Sequence, residues 1–157
     1  MTVMTEPRWL DEREARIWQA YRDVRRELQS ALDRQLVRDA GLSGADYALL
    51  VPLSEAPEGA LRARDLGLSV GWDRSRLSHQ VGRMEKRGLV TREECVEDAR
   101  GSMVRLTAAG RAAIEAAAPE HVETVRRYFF DPLTDEELDQ LGDVFHRLLA
   151  RLAQGDA

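Results

Sequence analysis

The chain has 157 residues, enough for one ordinary domain, with 43% hydrophobic and 32% charged side chains, a balance that suits a helical protein completing its core against a second copy. A single cysteine excludes an internal disulfide framework, no apolar run approaches a membrane span, and the N-terminal MTVMTEPRWLDERE lacks a signal-peptide core, so the expected location is the cytoplasm. The formal net charge of −5 is unevenly spread: residues 61–105 hold 10 basic and 7 acidic side chains, so the total does not exclude a polyanionic partner.

Residues 1–8 are polar and carry Pro7, which predicts a short arm. From about Leu10 to Ala40 the pattern is helical: Ile17, Tyr21, Val24, Leu28, Leu32 and Leu36 form one stripe, with no Gly or Pro until Gly41, a suitable C-terminal cap. Roughly thirty helical residues span about 45 Å. That exceeds what a compact lobe needs, so part of the helix is expected to pack on a partner; the alternative is an ordinary core helix. Ser43-Gly44-Ala45-Asp46 reads as a capping box, followed by a short apolar helix from Tyr47 to Ser54 and a turn cluster at residues 55–59. Leu61 is expected in a brief strand and residues 64–70 in a short helix. Arg64 cannot cap that helix and Gly67 lowers its propensity, so it is expected to be locally soft.

Gly71-Trp72 turns the chain into a helix from about Asp73 to Lys86. Leu77, Val81 and Met84 recur at i, i+4 and i+7 and predict one buried face. The opposite face carries Ser75, Arg76, His79, Gly82, Arg83 and Lys86: cations, short donors, one glycine where a partner can come close, and no carboxylate. A solvated helix face normally mixes both signs; this one points to a polyanion. Gly88 ends the helix, Leu89-Val90-Thr91-Arg92 begins a strand, residues 97–101 form a charged tip, and Ser102 to Leu106 returns. A short helix, a cationic helix and a hairpin in succession are the plan of a winged helix-turn-helix.

Thr107 can cap the next helix, in which Pro119 predicts a kink or break before Val122, Val125 and Phe129 resume the apolar stripe. Asp131-Pro132 ends it. Thr134-Asp-Glu-Glu137 is another capping box, and Leu138, Leu141, Val144, Leu148 and Leu152, with Phe145 and Leu149 alongside, form a helix–helix seam in the last helix. The fold class read from this order is mainly α with a small β-wing: a winged helix-turn-helix lobe (43–106) between helical dimerisation arms (10–40 and 108–153), in one domain over 1–157.

Three pieces at this spacing, SRLSHQVGRMEKRGLV (Ser75 to Val90), Asp98-Ala99-Arg100-Gly101 and LTAAG (Leu106 to Gly110), carry a specific likeness. The segment resembles the DNA-binding lobe of the MarR (multiple antibiotic resistance regulator) family, and the flanking helices extend the resemblance to most of the chain. It implies a homodimeric transcription regulator whose recognition helices enter successive major grooves of a pseudo-palindromic operator, as a ligand-responsive repressor. Ser75, Arg76, His79 and Arg83 are the candidates for base and phosphate contacts, and Arg74 and Lys86 for the phosphate backbone. By the same resemblance Arg100 reaches into the minor groove, where an A·T-narrowed groove attracts a guanidinium, and Asp98 helps hold the wing in shape. The family also implies a small aromatic or lipophilic effector between the arms and the lobe. Trp18, Tyr21, Tyr47 and Trp72 are the candidate lining, with plain core the equal alternative.

His79, His121 and His146 are far apart in sequence, and no His/Cys/Asp cluster has metal-ligand spacing; no phosphate loop or nucleophile turn is present, so neither a metal, a cofactor nor an enzyme activity is expected. Cys95 stands among Glu93, Glu94 and Glu97, which disfavour a thiolate. The peroxide-sensing branch of the family places its cysteine near the start of the first helix, where this chain has none. Two other readings stay open: a redox regulator acting through Cys95, and a helical dimer that serves as a protein-interaction module without DNA.

Overall fold

The computed structural model describes residues 6–94 and 101–155. The order is α1 (Glu12–Ala40), α2 (Gly44–Glu55), a 3₁₀ turn (Pro57–Gly59), β1 (Ala60–Arg62), α3 (Ala63–Val70), α4 (Arg74–Lys86), β2 (Val90–Glu94), β3 (Ser102–Leu106), α5 (Ala108–Val125), a π turn (Arg126–Phe130) and α6 (Asp135–Ala153). It is a mainly helical chain with a small antiparallel sheet in the order β1-β3-β2. Leu61 on one side and Arg92 on the other both face Val104 of the central strand.

Local chemistry marks the helix ends. Asp11, Ser43 and Thr134 form reciprocal capping boxes with Glu14, Asp46 and Glu137. Asp73 and Thr107 cap α4 and α5 by accepting from the backbone N–H of Arg76 at 2.8 Å and of Gly110 at 2.9 Å. α3 has Arg62 at its N-cap and no side-chain cap bond. At their far ends α3 and α4 stop in the same way. Gly71 and Gly88 take the left-handed backbone, with φ of 69° and 75°. Trp72 and Leu89 then donate back to the carbonyls of Gly67 and Met84, both at 3.0 Å. α1 ends on Gly41, also left-handed, followed by Leu42. The residue after each glycine (Leu42, Trp72 or Leu89) packs onto the core.

That core is drawn from the C-terminal end of α1 (Leu36), from α2 (Leu49, Leu50, Leu53), from α3 and α4, and from the strands through Val90 and Val104. α5 closes it with Ile114 and Ala117. α6 contributes nothing to it: none of its residues is buried. The N-terminal half of α1 is likewise bare, with Ile17, Trp18 and Val24 each more than half exposed.

Three expectations need correction. α2 begins at Gly44, because the Ser43 capping box makes residues 44–46 the first turn instead of a lead-in to Tyr47. Pro119 does not break its helix. α5 runs unbroken from Ala108 to Val125, since proline removes one backbone donor while Ile114, Ala117 and Thr124 stay buried on either side. The irregularity comes later, in the π turn, where Asp131 N–H reaches the Arg126 carbonyl at 2.8 Å. Finally, the space beside Gly82 is shared with the sheet: the Arg92 guanidinium lies 3.6 Å from where a Cβ would stand.

Candidate nucleic-acid interface

α4 presents two chemically opposed faces. Leu77, Val81 and Met84 are buried as their spacing predicts, and Gln80 joins them. Arg74, Ser75, Arg76, His79, Arg83 and Lys86 are all exposed. Among the described residues none of Arg74, Arg76, Arg83 and Lys86 has a carboxylate within ion-pair distance, whereas Arg87 and Arg105 do. The four cations therefore keep their full field toward solvent. Two shallow depressions lie on this helix, one of about 440 Å³ touching Trp72, Arg76 and His79, the other touching Arg74, Ser75 and His79. The Arg76 guanidinium lies over the Trp72 ring, 4.1 Å from its centroid.

A buried polar network, which periodicity alone did not reveal, fixes how α4 sits. Asp46, 2% exposed, does more than complete the α2 capping box. Its Oδ1 accepts from Gln80 Nε2 at 2.7 Å, and its Oδ2 accepts from the Ser43 N–H at 2.9 Å and from Arg87 Nη1. Arg87 Nη2 also donates to the Gly41 carbonyl at 2.9 Å. One carboxylate thus joins the end of α1, the start of α2 and both the middle and the end of α4. Beyond the Ser43–Asp46 capping box, the clue in the sequence was Gln80, a polar residue at i+3 from Leu77 on the apolar face.

The sheet is fastened to the same helix. Arg92 donates its backbone N–H to Glu85 Oε2 at 3.2 Å, and its guanidinium donates to the carbonyl of Ser78. Arg105 pairs with Glu93 at 2.9 Å across the two strands and reaches the Glu58 carbonyl at 3.2 Å. The Glu93 carboxylate raises the Arg105 pKa further above its already high value. Cys95, Asp98 and Arg100, expected at the wing, lie outside the described residues.

The MarR family model matches residues 40–101, the segment from the end of α1 to the return strand. A MarR family transcriptional regulator from Streptomyces coelicolor, solved in complex with DNA, matches at 44% identity with a TM-score of 0.87, over 92% of this chain and 90% of that one. The chain belongs to the MarR family. Transcriptional repressor MprA of Escherichia coli (strain K12) is 25% identical over 121 residues, which is 76% of this chain and 68% of that protein. CouR from Rhodococcus jostii, solved bound to p-coumaroyl-CoA, matches at 26% identity and a TM-score of 0.72, over 84% of this chain and 90% of that one.

In this MarR family chain the four candidate effector-lining rings fall into separate contacts. Trp18 and Tyr21 touch each other at 5.4 Å on the bare half of α1. Tyr47 lies against His121 at 4.2 Å. Trp72 carries Arg76 instead. Burial raises the Tyr47 pKa and lowers that of His121, with Asp33 weakly opposing the latter shift. His121 Nδ1 also meets Gln35 Oε1 at 3.2 Å, which makes it a partner in the α1–α2–α5 packing. Among the described residues no group of three or more His, Cys, Asp or Glu side chains is placed to hold a metal ion, and no helix is long and apolar enough to cross a membrane.

Proposed function

We propose that this chain is a sequence-specific DNA-binding transcription regulator that works as a homodimer. The supporting observation is the unpaired cation row of α4, set opposite a face locked into the core. Ser75, Arg76, His79 and Arg83 are assigned to base edges and nearby phosphates, and Arg74 and Lys86 to the phosphate backbone. A guanidinium offers paired donors to the O6 and N7 acceptors of guanine, and exposed hydroxyl and imidazole groups suit neighbouring edges and phosphates. Two copies would present two α4 helices to successive major grooves, with the hairpins flanking them and Arg100 in the adjoining minor groove, its position supported by Asp98. The whole of 1–157 acts as one unit, with 10–40 and 108–153 as dimerisation arms and 43–106 as the reading lobe. The likeness to MprA supports repression, and the likeness to CouR supports an aromatic or lipophilic effector. Trp18, Tyr21, Tyr47 and Trp72 are the rings assigned to that effector in the dimer.

The test is a titration of wild type, Arg76→Ala, His79→Ala and Arg100→Ala against operator, flank-substituted and random duplexes at two salt concentrations. Loss of a base-reading side chain costs roughly 1–3 kcal/mol on the operator and much less on random DNA. Arg100→Ala weakens binding most where the flanks are A·T-rich. Wild-type affinity falls steeply with salt, because neutralised phosphates release counterions. Variants that bind all three duplexes as tightly as wild type would show that this lobe does not read DNA. Operator release by peroxide that is lost in Cys95→Ser would instead establish the redox reading.

A further inference from the structure

We propose that Trp72 is a positioning residue, whose indole holds the Arg76 guanidinium ready for a base edge before DNA arrives. The inference rests on the reading of Arg76 as a DNA contact and assigns the residue that prepares it. The guanidinium carbon is 4.1 Å from the ring centroid, within cation–π range. Both partners are pinned by backbone: Trp72 N–H to the Gly67 carbonyl at 3.0 Å, and Arg76 N–H to Asp73 Oδ1 at 2.8 Å. An exposed arginine without such a support samples many rotamers and loses that freedom on binding. With its carbon over the ring, a guanidinium can rest a face on the indole and keep its in-plane N–H donors, the atoms that guanine O6 and N7 accept from. The same depression is lined by Trp72, Arg76 and His79.

The fold itself supplies a comparison. Trp72 follows a left-handed glycine and tucks onto the core, and so do Leu42 after Gly41 and Leu89 after Gly88. Leucine therefore suffices for the packing at such a position. What tryptophan adds is the ring under Arg76.

The experiment uses the full chain as Trp72→Leu, Trp72→Phe, Arg76→Ala and the Trp72→Leu/Arg76→Ala double variant. Each is titrated with an operator duplex recovered from genomic fragments by the wild type and with a random duplex. Trp72→Leu is expected to weaken operator binding roughly two- to fivefold and random binding little, Trp72→Phe to retain most of the affinity, and Trp72→Leu to add nothing in the Arg76→Ala background. Equal losses from Trp72→Leu with and without Arg76, or no loss from it where Arg76→Ala does lose affinity, would overturn the positioning role. An Arg76→Ala variant that binds operator like wild type would overturn the DNA contact itself, and the proposal with it. Should Trp72→Leu fail to fold, the Arg76 side-chain proton shifts in the free wild-type protein decide: displaced by the indole ring current they support the platform, and at unperturbed values they refute it.

Discussion

The Asp46 carboxylate is shut away from water and has a hydrogen-bond partner at each oxygen: the Gln80 amide on one, the Ser43 N–H and Arg87 on the other. Removing one side of such a cluster strands the remaining donors, which costs more than a surface pair is worth. Asp46→Ala should therefore lower stability by about 2–3 kcal/mol, read as a shift of the urea midpoint. Arg87→Ala should cost less, because Arg87 is close to half exposed and water replaces part of its contact. An Asp46→Ala midpoint equal to wild type would deny the network its role. The capping half of this cluster is legible in the sequence, since Ser43 and Asp46 are three apart. Gln80 and Arg87 are 34 and 41 residues away, and no local pattern links them to Asp46. His121 carries a pH prediction of known sign. Its pKa is lowered by burial, so as pH falls the unfolded chain takes up the proton first. The stability it contributes is complete above the ordinary value of 6.5 and is lost as pH drops from there through the lower folded value. His121→Gln, which cannot ionise, should lose less stability than wild type between about pH 7.5 and 5.5. Parallel denaturation midpoints for the two proteins across that range would refute it.

At the scale of elements, glycines divide into those the packing requires and those it tolerates. A Cβ at Gly110, in the first turn of α5, would stand 2.1 Å from the Leu89 carbonyl oxygen and 2.7 Å from Leu106 Cδ1. The first of these is backbone and cannot swing aside. Gly110→Ala should push α5 off the base of the sheet and cost about 1–3 kcal/mol. Gly67 differs: it is buried in α3, but its Cβ would meet Leu77 and the Trp72 carbonyl at 3.4 Å, near ordinary contact. Gly67→Ala should be tolerated and gain up to about 1 kcal/mol from helix propensity. Thermal melts of the two variants should move in opposite directions, and movement in the same direction would mean that these contacts do not govern the outcome. The helices and strands were legible because capping boxes, terminal glycines and 3.6-residue spacing are local signals. A break at Pro119 is absent for the complementary reason, because its local cost is offset by the burial of Ile114, Ala117 and Thr124, which only the assembled core supplies. The outer face of α4 was legible residue by residue, whereas the Arg92 guanidinium beside Gly82 required knowing how the sheet folds back.

At the scale of the molecule, the bare half of α1 and the whole of α6 leave more apolar surface than one chain covers: Leu148 is 56% exposed and Leu152 75%. Replacing both Leu141 and Leu148 by glutamate, or deleting residues 1–30, should yield monomers or aggregates by light scattering, and an intact chain that scatters as a well-folded monomer would refute the dimer. The stripes were legible in the sequence, and what they pack against was not, since no described residue of the chain covers them. The Asp46 cluster has a mechanical consequence on this scale. α1 has 29 residues and so is about 44 Å long. Through Arg87 and Gly41 its lower end is tied to α4, while its upper end stands among exposed aromatic rings. That makes α1 a lever with its short arm at α4. Displacing the upper end by about 4 Å tilts a rod of this length by roughly 5°, and the Arg87–Gly41 hydrogen bond is a point where such a tilt meets α4.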